Sequence, residues 1–174
     1  MNHSMTRLRV LIAVLAISVA LILQVTLFPH FAWHGIVPNL CLLVVVGAAL
    51  TRGPQFAMTL GFAAGVLLDL APPADHTAGR WALALVLVGY VAGRVRQDVR
   101  PSATAVVCTV AATSFLGTSA FALSGLLLGD LATGVPDLLQ VIGVAVLWDV
   151  LLTPLVLPPV MRLLDRLEPA AAAV

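Results

Sequence analysis

The side chains able to do chemistry are few, and they do not gather into a recognisable constellation. Ser119, in Gly117-Thr118-Ser119-Ala120, is a serine set among small residues inside an apolar run, as a nucleophile would be. Such a serine needs a general base within hydrogen-bond reach. The four histidines are His3, His30, His34 and His76, and none falls inside a later helical run. No serine–histidine pair is therefore expected. His30 and His34, with Asp75 and His76, could be drawn together as a zinc site. The plainer reading is that loop residues are polar because they meet water. The chain has no HExxH, no phosphate-cradling glycine loop and no paired carboxylates for acid–base or metal-assisted work. Cys41 and Cys108 lie within apolar runs and read as small buried hydrophobes. The expectation is a protein with no catalytic residues, no cofactor and no metal.

Asp149 is the exception that needs a physical reason. It falls about eleven residues into the last long apolar run, roughly 17 Å along a helix at 1.5 Å per residue. A charged carboxylate at membrane depth costs about 2.5–3.5 kcal/mol even on lenient scales. Asp149 must then face protein and find a partner, or serve a ligand, a proton or a partner helix. A hydrogen bond to a Thr, Ser or Asn side chain of a neighbouring helix would meet that demand. Asp69 is less demanding, because it sits at the outer end of the third run, close to Pro72.

The elements that carry these residues follow from composition. The 174 residues are 61% hydrophobic and 10% charged, against about 25% charged in a soluble domain. Too few polar groups exist to cover a water-facing surface, and no basic stripe suits a nucleic acid. The solvent is lipid. Apolar runs cover about 10–28, 36–51, 56–71, 81–93, 103–128 and 138–157, and a mixed leucine-and-charge stretch at 158–168 suits an interfacial tail. The first run follows Arg7 and Arg9 as a signal peptide would, but its length and the spans that follow favour an uncleaved helix. The fold class predicted is all-α: one transmembrane domain, 1–174, with six helices.

Orientation comes from arginine, the chain's only basic residue apart from histidine. Basic residues collect in short cytoplasmic loops. With the N-terminus inside, six spans place Arg7, Arg9, Arg52, Arg94, Arg96, Arg100, Arg162 and Arg166 in the cytoplasm and only Arg80 outside. Both termini are expected to be cytoplasmic. Small residues four apart, Ala16 with Ala20 and Gly61 with Gly65, mark faces where a second helix could approach closely, in the bundle or in a partner.

A family resemblance rests on several of these residues together. Pro38-Asn39-Leu40, Arg52-Gly53, the segment Gly61-x-x-x-Gly65-Val-Leu-Leu-Asp69-Leu70, then Gly79 and Gly89-Tyr90 resemble the rod-shape-determining membrane protein MreD family. The final span, Trp148-Asp149-Val-Leu-Leu-Thr153-Pro154, is similar to that family's last helix, where Asn is commoner than Asp. The loop Ala71–Thr77 looks more like the actinobacterial branch. The resemblance implies a non-enzymatic protein of the bacterial plasma membrane that regulates cell shape. It implies a bitopic partner, MreC, and a wall-elongation complex. That complex holds a SEDS-type glycosyltransferase, a class B penicillin-binding transpeptidase and MreB. The family also resembles the S-components of vitamin transporters in fold. That alternative would make Ala16 and Ala20 a docking surface and require a polar pocket at the outer loops, for which Gln24, Asn39, Asp69 and Gln140 are a thin supply.

Overall fold

A computed structural model describes residues 3–72, 77–95, 102–129 and 135–165. They form six α-helices: α1 (His3–Thr26), α2 (Leu40–Arg52), α3 (Pro54–Leu70), α4 (Arg80–Val95), α5 (Ala103–Leu128) and α6 (Val135–Asp165). No strand occurs among the described residues; one isolated bridge joins Trp33 and Ile36. The chain is all-α, as its composition predicted. Two of its helices, α5 and α6, are by themselves long and apolar enough to cross a membrane. The outside of the bundle is studded with exposed Leu, Val, Ile and Phe, among them Leu15, Phe62, Phe115, Leu127 and Leu155. Side chains of this kind facing outward are stable in lipid and not in water.

At the centre stands the shortest helix. Every residue of α2 from Leu40 to Thr51 is buried, and α1, α3, α4, α5 and α6 all pack on it. Its thirteen residues rise only about 20 Å. Its run therefore begins at Leu40 and not at Ile36, because the stretch before it is spent differently. A 3₁₀ turn occupies Phe28–Phe31, and His34 and Gly35 both take positive φ to close a tight turn between Trp33 and Ile36. Residues 37–39 then feed into the helix.

At the other end of α2, Gly53 alone makes the turn into α3. Its φ of 85° lies where a side chain would be strained, and Pro54 opens α3 at a position that lacks no needed donor. Ser102 caps α5 by accepting from the Ala105 N–H, and Gly129 ends it in the left-handed conformation.

As far as Asp165, the stretch read as an interfacial tail at 158–168 is helical and continuous with α6, which runs through Pro154, Pro158 and Pro159 without a break. Proline fixes φ near a helical value and removes one i−4 hydrogen bond, so it weakens a helix without always ending it. The Arg52 guanidinium donates to the Leu164 carbonyl and satisfies one of the open acceptors at the end of α6. Residues 166–174, with Arg166, lie outside the described residues, as do Arg96, Arg100, Asp75 and His76.

Candidate functional site

The polar residues of the bundle converge on the N-terminus of α2. Helix N-termini leave backbone N–H groups without partners, and this one lies inside an apolar bundle where water cannot supply them. Four groups do so instead. The Asn39 N–H donates to Asp149 Oδ1 at 2.8 Å, and the Leu42 N–H donates to the side-chain oxygen of Asn39 at 2.9 Å. The Cys41 N–H donates to Gln24 Oε1 from α1 at 3.3 Å, and the Leu43 N–H to the Asn39 carbonyl at 3.2 Å. The second oxygen of Asp149 accepts from the Ser114 hydroxyl on α5 at 2.6 Å. Thr153 donates to the Asp149 carbonyl at 2.8 Å.

Asp149 is fully buried. One carboxyl thus ties α6 to α2 and α5, and Gln24 adds α1. The sequence expected a neighbouring Ser, Thr or Asn side chain. Ser114 is such a partner; the other bond goes to a backbone N–H, which composition cannot reveal.

Asp69 does a similar job at the opposite pair of helices. Its carboxylate accepts from the backbone N–H groups of Gly79 (2.8 Å), Trp81 (3.0 Å) and Ala82 (3.1 Å). An acidic side chain from the end of α3 therefore caps the start of α4, where the helix dipole also favours a negative charge. Loss of a helix cap costs about 0.5–2 kcal/mol. Asp69→Ala should lower the melting temperature of the detergent-purified protein, with Asp69→Asn intermediate because it can still accept. A melting temperature unmoved by the alanine would show that these three bonds carry no stability.

Beside this cap, Arg80 departs from its expected place in an outer loop exposed to water. It is only 4% exposed. Its guanidinium lies 4.0 Å above the Phe121 ring and donates to the Phe121 carbonyl at 2.8 Å, while Trp81 stacks on the same ring at 4.3 Å. The one arginine at odds with the loop pattern is held by protein, through a cation–π contact and a hydrogen bond. Gly125 leaves the space for it: a methyl there would strike the guanidinium.

Gly61 and Gly65 line the seam between α3 and α4, where they meet backbone and not another side chain. A methyl on Gly61 would strike the Leu85 carbonyl, and one on Gly65 the backbone of Trp81 and Ala82. The seam is reciprocal. Gly89 faces the Ala57 carbonyl, 2.7 Å from where its own methyl would lie, and Gly93 faces Pro54. Gly89-x-x-x-Gly93 carries the same four-residue spacing in the sequence and is a packing signal of the same kind. Ala16 and Ala20 sit otherwise: both line an apolar groove of about 480 Å³ between α1 and α6, floored by Leu40 and Val44 of α2.

The remaining candidates stand apart. Ser119 is half-buried, and its hydroxyl meets no hydrogen-bond partner. His30 and His34 are exposed, and the zinc reading that joined them to Asp75 and His76 rests partly on residues outside those described. Among the described residues no three His, Cys, Asp or Glu side chains gather as metal ligands would. Cys41 is buried as expected, whereas Cys108 is exposed on the outer side of α5. An apolar run does not say which way each of its members points.

Fold and site together define a small helical membrane protein. Its buried polar groups cap and join its own helices, and its recesses are lined mostly by apolar side chains. Residues 4–167 match the family described as rod shape-determining protein MreD, and the chain belongs to that family. Neither the curated proteins nor the solved structures offer a match. Membership gives the chain a part in rod-shape determination at a membrane.

Proposed function

We propose that this protein is a non-enzymatic, multi-pass component of the bacterial plasma membrane that binds an MreC-like bitopic partner. Through that partner it helps organise the wall-elongation complex, with its SEDS glycosyltransferase, class B transpeptidase and MreB. The observation that carries the reading is the family match over nearly the whole chain. Six crossings with both termini cytoplasmic agree with the alternating helix directions. Arg52 reaches Leu164 and Gly93 meets Pro54, so Arg52, Arg94 and Arg162 collect at one end of the bundle, while Arg80 and Asp69 lie at the other. Basic residues gathered at one end mark a cytoplasmic face.

The groove over Ala16 and Ala20 is the face we assign to the partner's single helix. It follows α1 from Leu15 to Leu23, passes Leu27 and Phe28 just beyond that helix, and continues along α6 to Leu163 at the arginine-bearing end. Small residues on its wall would let a crossing helix approach closely, the arrangement that drives association where lipid tails compete for apolar surface.

The test is co-purification of the intact protein with its bitopic partner from membranes, for wild type and for Ala16→Leu and Ala20→Leu. Wild type should bring the partner down and cells depleted of it should change width, while the leucine variants fold but lose most of the partner. Failure of wild-type co-purification, together with tight binding of a vitamin, would replace this reading with a transport one.

A further inference from the structure

A second recess, about 700 Å³, opens between α5 and α6 and differs from the Ala16 groove in volume and charge. Its α5 wall is only the first turn and a half of that helix, including Val106 and Val107. Its α6 wall runs from Val150 through Leu157 to Arg162 and Asp165. The eleven steps from Val150 to Met161, beneath the charged residues, span about 17 Å. Half of a hydrocarbon core is about 15 Å. The apolar stretch beneath the charged pair is therefore about one leaflet deep, matched to a single acyl chain.

Its mouth holds the second feature. Arg162 and Asp165 are exposed, three residues apart and so on adjacent positions of one helix face. Among the described residues, neither makes an ion pair or a hydrogen bond to another side chain. A cation and an anion side by side at the headgroup end of an acyl-sized slot complement a headgroup that itself carries both signs.

We propose that this cleft binds a phospholipid with a zwitterionic primary-amine headgroup of the phosphatidylethanolamine type. One acyl chain lies against Val107, Val150 and Leu157. Arg162 takes the phosphate, and Asp165 takes the ammonium. A guanidinium suits phosphate because its planar fork donates two parallel hydrogen bonds, and a primary ammonium, unlike a quaternary one, has N–H groups to give a carboxylate. A purely anionic headgroup would leave Asp165 facing like charge. The inference goes beyond the partner-binding role and does not depend on it.

The experiment is native mass spectrometry of the full chain released from nanodiscs that contain phosphatidylethanolamine, phosphatidylglycerol and phosphatidylcholine in equal parts. Wild type should retain phosphatidylethanolamine over both others. A basic side chain near a membrane surface contributes enough for about a fivefold change in affinity. Arg162→Gln and Asp165→Asn should each lower retention of phosphatidylethanolamine by about that factor. Asp165→Asn should at the same time move preference toward phosphatidylglycerol. Val107→Trp, at a side chain that faces the recess and not the core, should abolish retention while the melting temperature stays at the wild-type value. Equal retention of all three lipids, preference for phosphatidylglycerol by wild type, or retention untouched by these substitutions would each overturn the proposal. None of these outcomes involves the bitopic partner, so failure here is distinct from failure there.

Discussion

Gly65→Leu should prevent the protein from folding into a monodisperse species, and Gly61→Leu should do nearly the same. Overpacking that neighbouring side chains can absorb costs about 1–3 kcal/mol. Here the obstacle is backbone: the new Cβ would fall on Trp81 and Ala82 in one case and on the Leu85 carbonyl in the other. Backbone cannot rotate aside, so α3 and α4 must separate. Separation takes with it the facing contacts at Gly89 and Gly93 and the Asp69 cap on α4. The loss should exceed the usual range. Fluorescence-detected gel filtration would read it as aggregate or absent protein, with Gly65→Ala already lowering the melting temperature. Ala16→Leu is the control, because its added atoms enter an open groove. If Gly65→Leu melts like wild type, the seam is not what holds α3 to α4.

Asp149→Leu should be the most damaging change at a polar position, while Asp149→Asn should be nearly neutral for stability. Leucine leaves the Asn39 N–H buried with no acceptor, which costs about 1–3 kcal/mol in proteins generally and more where lipid replaces water. Asparagine keeps an acceptor for Asn39 and offers its amide to the Ser114 oxygen, so both links survive. Ser114→Ala should cost less than Asp149→Leu, because only one of the two bonds is lost. The double variant Asp149→Leu/Ser114→Ala should cost less than the sum of its parts, the sign of a shared bond. Melting curves of the four proteins in one detergent give the cycle. Additive losses would mean that the 2.6 Å contact contributes nothing. A large loss in Asp149→Asn would mean that the carboxyl charge itself matters.

Both predictions concern residues that the sequence marked without saying what they touch. Gly61 and Gly65 announced a close approach by their spacing, and the same spacing in Ala16 and Ala20 announced one too. The two pairs end in different places: a sealed seam with α4, and a groove open to lipid. Spacing puts small residues on one face of a helix. It says nothing about whether that face meets a neighbour. Asp149 stood out because a carboxyl in an apolar run is costly, and the same cost argument demanded a partner. The Asn39 N–H could not be named from sequence, because every residue but proline carries an N–H and only the fold decides which one is left unsatisfied.

Arg80 shows the same division. The arginine pattern set it apart from the other arginines, and the chain offered no sign that Phe121, forty-one residues on, would lie beneath it. The proline pair at 158–159 stands within α6, which packing and the bond from Arg52 carry on to Asp165.

The sequence by itself determined that this chain is helical and apolar outside, that its polar groups must be paired, and where most turns fall. Those are consequences of composition and short-range periodicity, which act within a few residues. Tertiary structure alone decided that α2 is the buried centre, that Asp149 and Gln24 supply its N-terminus, and that two recesses differ in volume and charge. These are long-range facts. They depend on which helix ends come to the same level, and that is settled only when five helices compete for the surface of one.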